Sequence, residues 1–266
     1  EALRFIALVQ QAQIDEQSVW PQVAMKHAVP VQFGQAASRL HEIIDSLFAA
    51  QRPLLAHQSR FRLEAEQIHD SALLVSGLLV NKLGGDIVRP YQPAKYYAAL
   101  NFPERDYTPS TGDDQFRRAV YTHWQRQYLL PFLLAYDAPT REECTVERAR
   151  SNTPQQALVL LNDPTYVEAA RALAERAIKG GKTTPERINH AFRLAVDRDA
   201  KPEEVKVLTT LFDKHLKEYQ GDTKAAEFLC RVGERPMAKD IPAPELAAWM
   251  SVTRVVLNLH ETITRE

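Results

Sequence analysis

The sequence predicts an all-α fold, an irregular compact array of about nine to ten helices with one long aromatic-rich loop. Apolar residues recur at helical spacing along almost the whole chain, and no stretch alternates apolar and polar residues as a half-buried strand does. Proline stands at the first turn of several predicted helices, as at Pro185, Pro202 and Pro244. The 266 residues are 45% hydrophobic and 25% charged, which is ordinary for a globular protein with a buried core.

The first predicted helices precede a strongly amphipathic one. Helices are expected over 2–13 and about 35–50. From Phe61 onward, apolar residues recur three and four positions apart, which predicts a helix packed against a core until Gly84 and Gly85 stop it.

The remaining helices are predicted from residues that cap their ends. Thr153 is predicted as an N-cap with Gln156 completing a capping box, and Asp163 is predicted to cap the next helix, which ends at Gly180 and Gly181. The predicted helices that follow Gly85 cover 114–128, 154–161, 164–179, 185–197, 202–219, 223–231 and 244–263.

Residues 83–112 are the exception, because proline and glycine break any helical pattern there. Connections this long are uncommon in compact domains and are often functional. The segment is rich in aromatic residues, namely Tyr91, Tyr96, Tyr97, Phe102 and Tyr107. These rings either anchor the loop onto the helices or present a stacking surface to a ligand, and the loop is either ordered or disordered.

Charge and hydropathy exclude several classes of protein. A net charge of −1 gives no global field for nucleic acid or an anionic membrane, so no nucleic-acid partner is predicted. The apolar runs are too short for a membrane-spanning segment, which needs about 20 residues. Without a CxxCH motif no covalent haem site is predicted in this chain, and no other cofactor is predicted either. Cys144 and Cys230 are compatible with a disulfide or with two free thiols.

Catalytic and metal motifs are not found in the sequence. There is no GxSxG, P-loop or GxGxxG motif, so no catalytic residue is predicted, although the question of enzyme activity stays open. Glu66 and His69 have the spacing of half a di-metal carboxylate site, but no second such pair occurs at a matching offset. No metal site is therefore predicted.

Polar and aromatic residues concentrate in a few places and supply the candidate ligand-binding residues. These are Tyr91, Gln92, Arg117, Arg118, Trp124, Asp137, Arg148 and Asn152. In one interpretation Asp137 and the arginines tie a non-helical connector to helix ends through charge-assisted hydrogen bonds. In the other, the arginines line a cleft with the aromatic loop and receive a carboxylate, sulfate or phosphate.

Several motifs in order carry a family resemblance. They are RFRLEAEQIHDSALLVSGLL, GGDIVRPYQP, RRAVYTHWQR, YDAPTREECTVERARSNTPQQALVLLND and ELAAWMSVTRVVLNLHETITRE. The chain resembles, over about 53–266, the planctomycete-type domain of unknown function found at the C-terminal end of large exported proteins that carry a planctomycete cytochrome c domain. Residues 1–52 are then a helical lead-in from a preceding domain. The family typically has Arg where this chain has His69 and Asp where it has His260.

The resemblance implies an exported, periplasmic or envelope-associated protein whose haem, if it has one, lies in another domain. It favours a non-catalytic scaffold or interaction module that docks onto other domains of the same polypeptide and that shows an exposed apolar face when isolated. The alternative is a module that binds or processes a glycan or sulfated polysaccharide in a cleft lined by Tyr91, Tyr96, Arg117 and Arg148. A third possibility is a partner in electron transfer that uses a surface around Trp124.

Overall fold

The structure is a computed structural model that describes residues 60–93, 96–99 and 107–265. The helices predicted over 2–13 and 35–50, and the predicted boundary after residue 52, lie outside the described residues. Residues Arg62–Arg265 form one compact unit.

The described residues are mainly helical, so the predicted all-α class is confirmed. Nine α-helices lie within them: α1 (Ala65–Ser76), α2 (Pro131–Ala135), α3 (Pro154–Asn162), α4 (Pro164–Gly180), α5 (Thr184–Val196), α6 (Pro202–Gly221), α7 (Thr223–Cys230), α8 (Ala243–Leu257) and α9 (His260–Ile263). Three 3-10 helices cover Tyr96–Ala99, Gly112–Phe116 and Ala119–Tyr121. The two-residue strands β1 (Phe61–Arg62) and β2 (Thr264–Arg265) form a two-stranded sheet.

Helix α8 is the centre of the unit, and it packs against α4, α6 and α7. Its middle is fully buried around Trp249. On α4 the small residues Ala169 and Ala170 face the core, and the Thr253 hydroxyl of α8 donates to the carbonyl of Ala170 at 2.8 Å. Small side chains on α4 thus let two helices approach closely enough for a direct hydrogen bond between them.

Helix α1 ends earlier than predicted. It stops at Ser76 rather than at Gly84, because Gly77 adopts a left-handed conformation with φ 77° and its N–H caps the last carbonyls of the helix. Apolar residues continue beyond this point, and Leu78 is buried in the core although it lies outside the helix. Periodicity alone therefore extended the predicted helix too far.

The helix predicted over 114–128 is wrong. The chain forms two short 3-10 helices there, separated by Arg117 in an extended conformation (φ −77°, ψ 162°). Asp70 on α1 accepts hydrogen bonds from the backbone N–H of Ala119 and from the side chain of Arg118. Since this backbone group is bonded to another segment, long-range contacts override the local helical pattern.

Most other helices agree with the prediction within a few residues at each end. The segment predicted over 244–263 is broken at Asn258 into α8 and α9, and the short α2 was not predicted. Asp163 caps α4 as predicted, with its carboxylate accepting from Thr165 N at 2.9 Å. The prediction of a capping box at the start of α3 is wrong. Thr153 makes no side-chain cap bond, and the amide of Gln156 donates to the carbonyl of Ala135.

Cys144 is exposed and Cys230 is buried, and both are free, so they form no disulfide with each other. Among the described residues, no helix has the length and apolar character needed to cross a bilayer.

Candidate functional site

Asp137 closes the connector between α2 and α3, residues 136–153, near the start of that connector. The carboxylate of Asp137 accepts from Arg62 Nη2 at 2.8 Å, from Ser151 N at 2.8 Å and from Ser151 Oγ at 2.8 and 2.9 Å. Asp137 itself lies in the left-handed region with φ 56°. Partial burial acts to raise its pKa, but the bonds from Arg62 and Ser151 hold the pKa of Asp137 below its ordinary value.

Arg148 ties the same connector back to the start of α1. Its guanidinium contacts Glu66 at 2.8 and 3.2 Å and Glu64 at 3.0 Å. Hydrogen bonding to Glu66 raises the pKa of Arg148. Asn152, which follows Ser151, is exposed.

The connector clamp is the set of side chains that closes the two ends of the connector, namely Arg62, Glu66, Asp137, Arg148 and Ser151. It joins two of the predicted candidates, Asp137 and Arg148, in one network of charge-assisted hydrogen bonds. Its contacts agree with the interpretation in which these residues tie a connector to helix ends.

Arg117 is buried and bonded to backbone carbonyls. It is 2% exposed, and its guanidinium donates to the carbonyl oxygens of Asp86 at 2.9 Å, of Lys82 at 3.3 Å and of Gly84. The ring of Tyr121 lies 4.1 Å from the guanidinium carbon, and the Tyr121 hydroxyl accepts from Gly84 N at 3.0 Å. Residues 82–87, which we call the Arg117-held loop, therefore have a fixed shape.

Arg118, the neighbour of Arg117, belongs to a different contact. It is half exposed and pairs with Asp70, its Nε lying 3.1 Å from the carboxylate. Burial acts to raise the pKa of Asp70, whereas the bonds from His69, Ala119 and Arg118 lower it, and the net direction is downward. Asp70 thus fixes Arg118 and Ala119 against α1.

Tyr91 lies in a third network, around the fully buried Glu168 of α4. The Tyr91 hydroxyl donates to Glu168 Oε2 at 3.0 Å and accepts from Glu234 N at 2.8 Å. Arg171 Nη2 lies 3.2 Å from Glu168 Oε1. Burial, followed by the charge of Glu168, raises the pKa of Tyr91, and burial raises the pKa of Glu168. The next residue, Gln92, has a buried Oε1 without a hydrogen-bond partner.

Trp124 lies beneath the connector. The guanidinium carbon of Arg141 sits 3.6 Å from the centre of the Trp124 ring, which is a cation–π contact. Its indole Nε1 is buried without a hydrogen-bond partner. Trp124 therefore contacts the connector through Arg141.

The described part of the aromatic loop is ordered by contacts among its own rings and with Tyr128. Tyr97 lies edge-on to Tyr107 with ring centroids 5.2 Å apart, and Tyr96 lies 4.8 Å from Tyr128. The Tyr107 hydroxyl donates to the carbonyl of Pro90 at 2.6 Å. These rings pack on one another and on the helices, while Phe102 lies outside the described residues.

The structure therefore distributes the predicted candidates over several networks. Asp137 and Arg148 share the connector clamp, Arg117 and Arg118 have separate partners, and Tyr91 belongs to the network around Glu168. Among the described residues, no group of three or more His, Cys, Asp or Glu is placed to hold a metal ion.

The sequence reasoning expected an exposed apolar face but did not identify the exposed apolar residues near the Arg117-held loop. Leu83 is 81% exposed, Ile87 58%, and Val120 and Leu74 are each 64% exposed. Val88 N donates to Tyr121 O at 2.8 Å, so the segments that carry Ile87 and Val120 are neighbours. The contact between Asp70 and Ala119 places α1, which carries Leu74, beside them. We call these four residues the apolar surface.

A signal for this surface exists in the sequence. Leu83 and Ile87 flank the pair Gly84 and Gly85, which have φ of 72° and 92°. Glycines with positive φ mark a tight turn, and the turn carries Leu83 at its tip. The helix predicted from Phe61 up to Gly84 and Gly85 concealed this turn, because the helix was expected to run through Leu83.

Comparison with known proteins identifies a family. The family model described as PSD1, protein of unknown function (DUF1553), matches residues 35–212, more than half of the chain. Searches of curated proteins and of solved structures found no match. The match includes α1 to α5 and the start of α6, and therefore both the connector clamp and the apolar surface. The chain belongs to the PSD1 family of proteins of unknown function (DUF1553).

Proposed function

We propose that this chain is a non-catalytic helical interaction module, which docks through its apolar surface onto other domains of the same polypeptide. The observation that carries the proposal is the Arg117-held loop, in which a buried arginine fixes a turn that displays Leu83 and Ile87 to solvent.

The loop has the physical properties of a binding element. A buried guanidinium that donates to three carbonyls of one turn removes backbone freedom before any partner arrives, so less conformational entropy is lost on binding. Covering a side chain such as Leu83 contributes about 1.5–3 kcal/mol. Clustered exposed apolar residues are typical of interaction surfaces in soluble proteins.

The polar candidates support a non-catalytic module. The charged groups of the connector clamp, and Arg117 itself, are bonded to other groups of the chain. A sulfated or carboxylated ligand would have to displace Glu66 from Arg148 and three backbone carbonyls from Arg117. Such a ligand would therefore have to compete with hydrogen bonds that the chain already makes.

We place the module in a larger exported, envelope-associated protein of planctomycete type, in which a cytochrome c domain carries any haem. This context rests on the resemblance of the motifs from Arg60 to Glu266. The partner surface then belongs to the same polypeptide, and the local concentration of the partner is high because the two are covalently linked.

Hydrogen–deuterium exchange compares the isolated 266-residue chain with the full-length parent protein. We expect slower exchange in the parent over residues 81–88 and 118–122. The substitution Leu83→Asp in the parent should restore the fast exchange of the isolated chain, because a charge at the centre of the contact has to be desolvated.

The matched control is Val207→Asp, since Val207 is 45% exposed but lies on α6. It should leave the protection of residues 81–88 unchanged. Equal exchange in the parent and in the isolated chain would refute docking through this surface.

A further inference from the structure

The middle of the connector is the longest exposed run among the described residues. Residues 140–147 are all exposed, they form neither helix nor strand, and the side chain of Val146 is fully exposed. Glu142 N donates to Thr140 Oγ1 at 3.4 Å, a bond that stays within this run. Exposed loop tips of this kind are the preferred sites of proteolytic cleavage in folded proteins. We call residues 142–147 the connector tip.

Other exposed loops are held along their backbones. Arg117 donates to three carbonyls of the Arg117-held loop, residues 82–87, and Glu234 N donates to the Tyr91 hydroxyl at 2.8 Å. A protease binds its substrate as an extended strand, so it would have to break these bonds first. In the part of the chain that the structure describes, no hydrogen bond reaches the backbone of residues 143–147. The connector tip is therefore the most accessible backbone of the compact unit.

The connector clamp joins the two sides of the connector tip to each other. Asp137, before the tip, accepts from Ser151 N, after the tip, at 2.8 Å. Arg148, after the tip, contacts Glu66 on α1 at 2.8 Å. Both bonds cross the tip, so a cut inside it would leave each new end attached to the other fragment.

The core also spans the two sides of the connector tip. Phe132 on α2 meets Tyr166 on α4 edge-on with ring centroids 6.5 Å apart, and α1 packs against α4. At the edge of the unit, Leu63 N donates to Ile263 O at 2.8 Å, and β1 pairs with β2. Separation of the two sides would expose buried apolar surface, so the hydrophobic effect holds them together without the covalent link.

We propose that the connector tip is a proteolytic processing site, at which an endoprotease cuts the folded chain into two fragments that remain one compact unit. Hydrolysis breaks one peptide C–N bond, and water supplies the hydroxyl of the new carboxyl group and a proton to the new amine. Glu142, Glu143 and Glu147 make the tip a substrate for a protease that cuts after glutamate. The four residues of the apolar surface all precede the cut, so the site is separate from the proposed docking surface.

Limited digestion of the full chain with a glutamate-specific endoprotease tests the proposal. Among the glutamates of the described residues, we expect the first cuts after Glu142, Glu143 or Glu147, assigned by mass spectrometry. A denaturing gel should then separate the fragments, whereas size-exclusion chromatography without denaturant should elute them together. The triple variant Glu142→Gln, Glu143→Gln, Glu147→Gln should lose these cuts.

Glu234→Gln is the matched control, because Glu234 lies in an exposed loop whose backbone is bonded to Tyr91. It should leave the first cuts unchanged. First cuts after Glu234, or after a glutamate within one of the helices, would overturn the assignment of the site. Fragments that separate during chromatography without denaturant would overturn the claim that they remain one unit.

Discussion

At the scale of single residues, Asp137 and Arg117 perform related tasks with opposite charges. Asp137 accepts hydrogen bonds from Arg62 and Ser151 and so closes the connector. Arg117 donates hydrogen bonds to backbone carbonyls and so fixes a turn. Both use the strength of charge-assisted hydrogen bonds to order backbone that lacks regular secondary structure. Their burial is what sequence reasoning could not supply, because it follows from segments that are distant along the chain.

The substitution Asp137→Asn should lower the free energy of unfolding at pH 7 by about 1–3 kcal/mol, because bonds to a charged acceptor become bonds to a neutral one. Urea denaturation measures this change. Asp113→Asn is the control, since Asp113 is exposed, and it should stay within about 0.5 kcal/mol of the wild type.

The same substitution has a pH dependence with a defined sign. The folded-state pKa of Asp137 is lower than its ordinary value of 3.8, so its contribution is present above pH 3.8 and is lost as the pH falls through the folded value. The gap between wild type and Asp137→Asn should therefore close as the pH falls below 3.8. A gap that is constant over this range would contradict the ionic account.

At the scale of elements, local signals predicted some helices and long-range contacts decided others. Helix α4 was predicted well because its start and its end are set by local signals. Asp163 caps its first turn, and the helix ends at Gly180. The structure of the segment 114–128 was not predicted, because Asp70, which is distant along the chain, accepts a hydrogen bond from the N–H of Ala119. The residues of the apolar surface were not identified for the same reason, since Leu83 lies in a turn held by Arg117.

The end of α1 gives a prediction at this scale. Gly77→Ala should destabilise the chain by about 1–2 kcal/mol, because a left-handed conformation brings Cβ close to a carbonyl oxygen. The added Cβ would also lie 3.3 Å from Arg176 Nη1. Thermal and urea unfolding should both record the loss. Gly221→Ala, with open space around its Cβ, should have little effect, and equal losses in the two variants would contradict this account of the helix end.

At the scale of the whole molecule, the folding unit is larger than the family match. The match ends at residue 212, inside α6, yet α8 beyond it packs closely against α4 and α6. Helix α8 supplies the fully buried Trp249 and the hydrogen bond from Thr253 to α4. A chain that ended at residue 212 would expose the apolar face of α4, so residues up to Arg265 belong to the same compact unit.

The packing of α6 on α8 predicts a pH dependence for the whole unit. His215 Nδ1 lies 2.7 Å from Ser251 Oγ, and burial, helped by Lys214 and Arg254 and opposed by Glu218, lowers the pKa of His215. A depressed histidine pKa means that the unfolded chain takes up the proton first. Stability is therefore fully present above pH 6.5 and is lost as the pH falls from 6.5 through the folded value.

Melting temperatures measured from pH 7.5 to pH 5 test this expectation. His215→Gln should flatten the decline below pH 6.5 relative to the wild type. His260→Gln, at an exposed position, should not change the slope. Parallel slopes in the wild type and in His215→Gln would rule out His215 as the group responsible.

The contrast between the two cysteines has a practical consequence. Burial raises the pKa of Cys230 to about 11, so its thiolate is scarce at neutral pH, whereas Cys144 is exposed on the connector. A maleimide dye or spin label therefore attaches to Cys144 alone in the unmodified sequence. Because the connector clamp fixes both ends of that segment, the probe reports from a defined position, and distances to labels on a partner domain become measurable without any mutation.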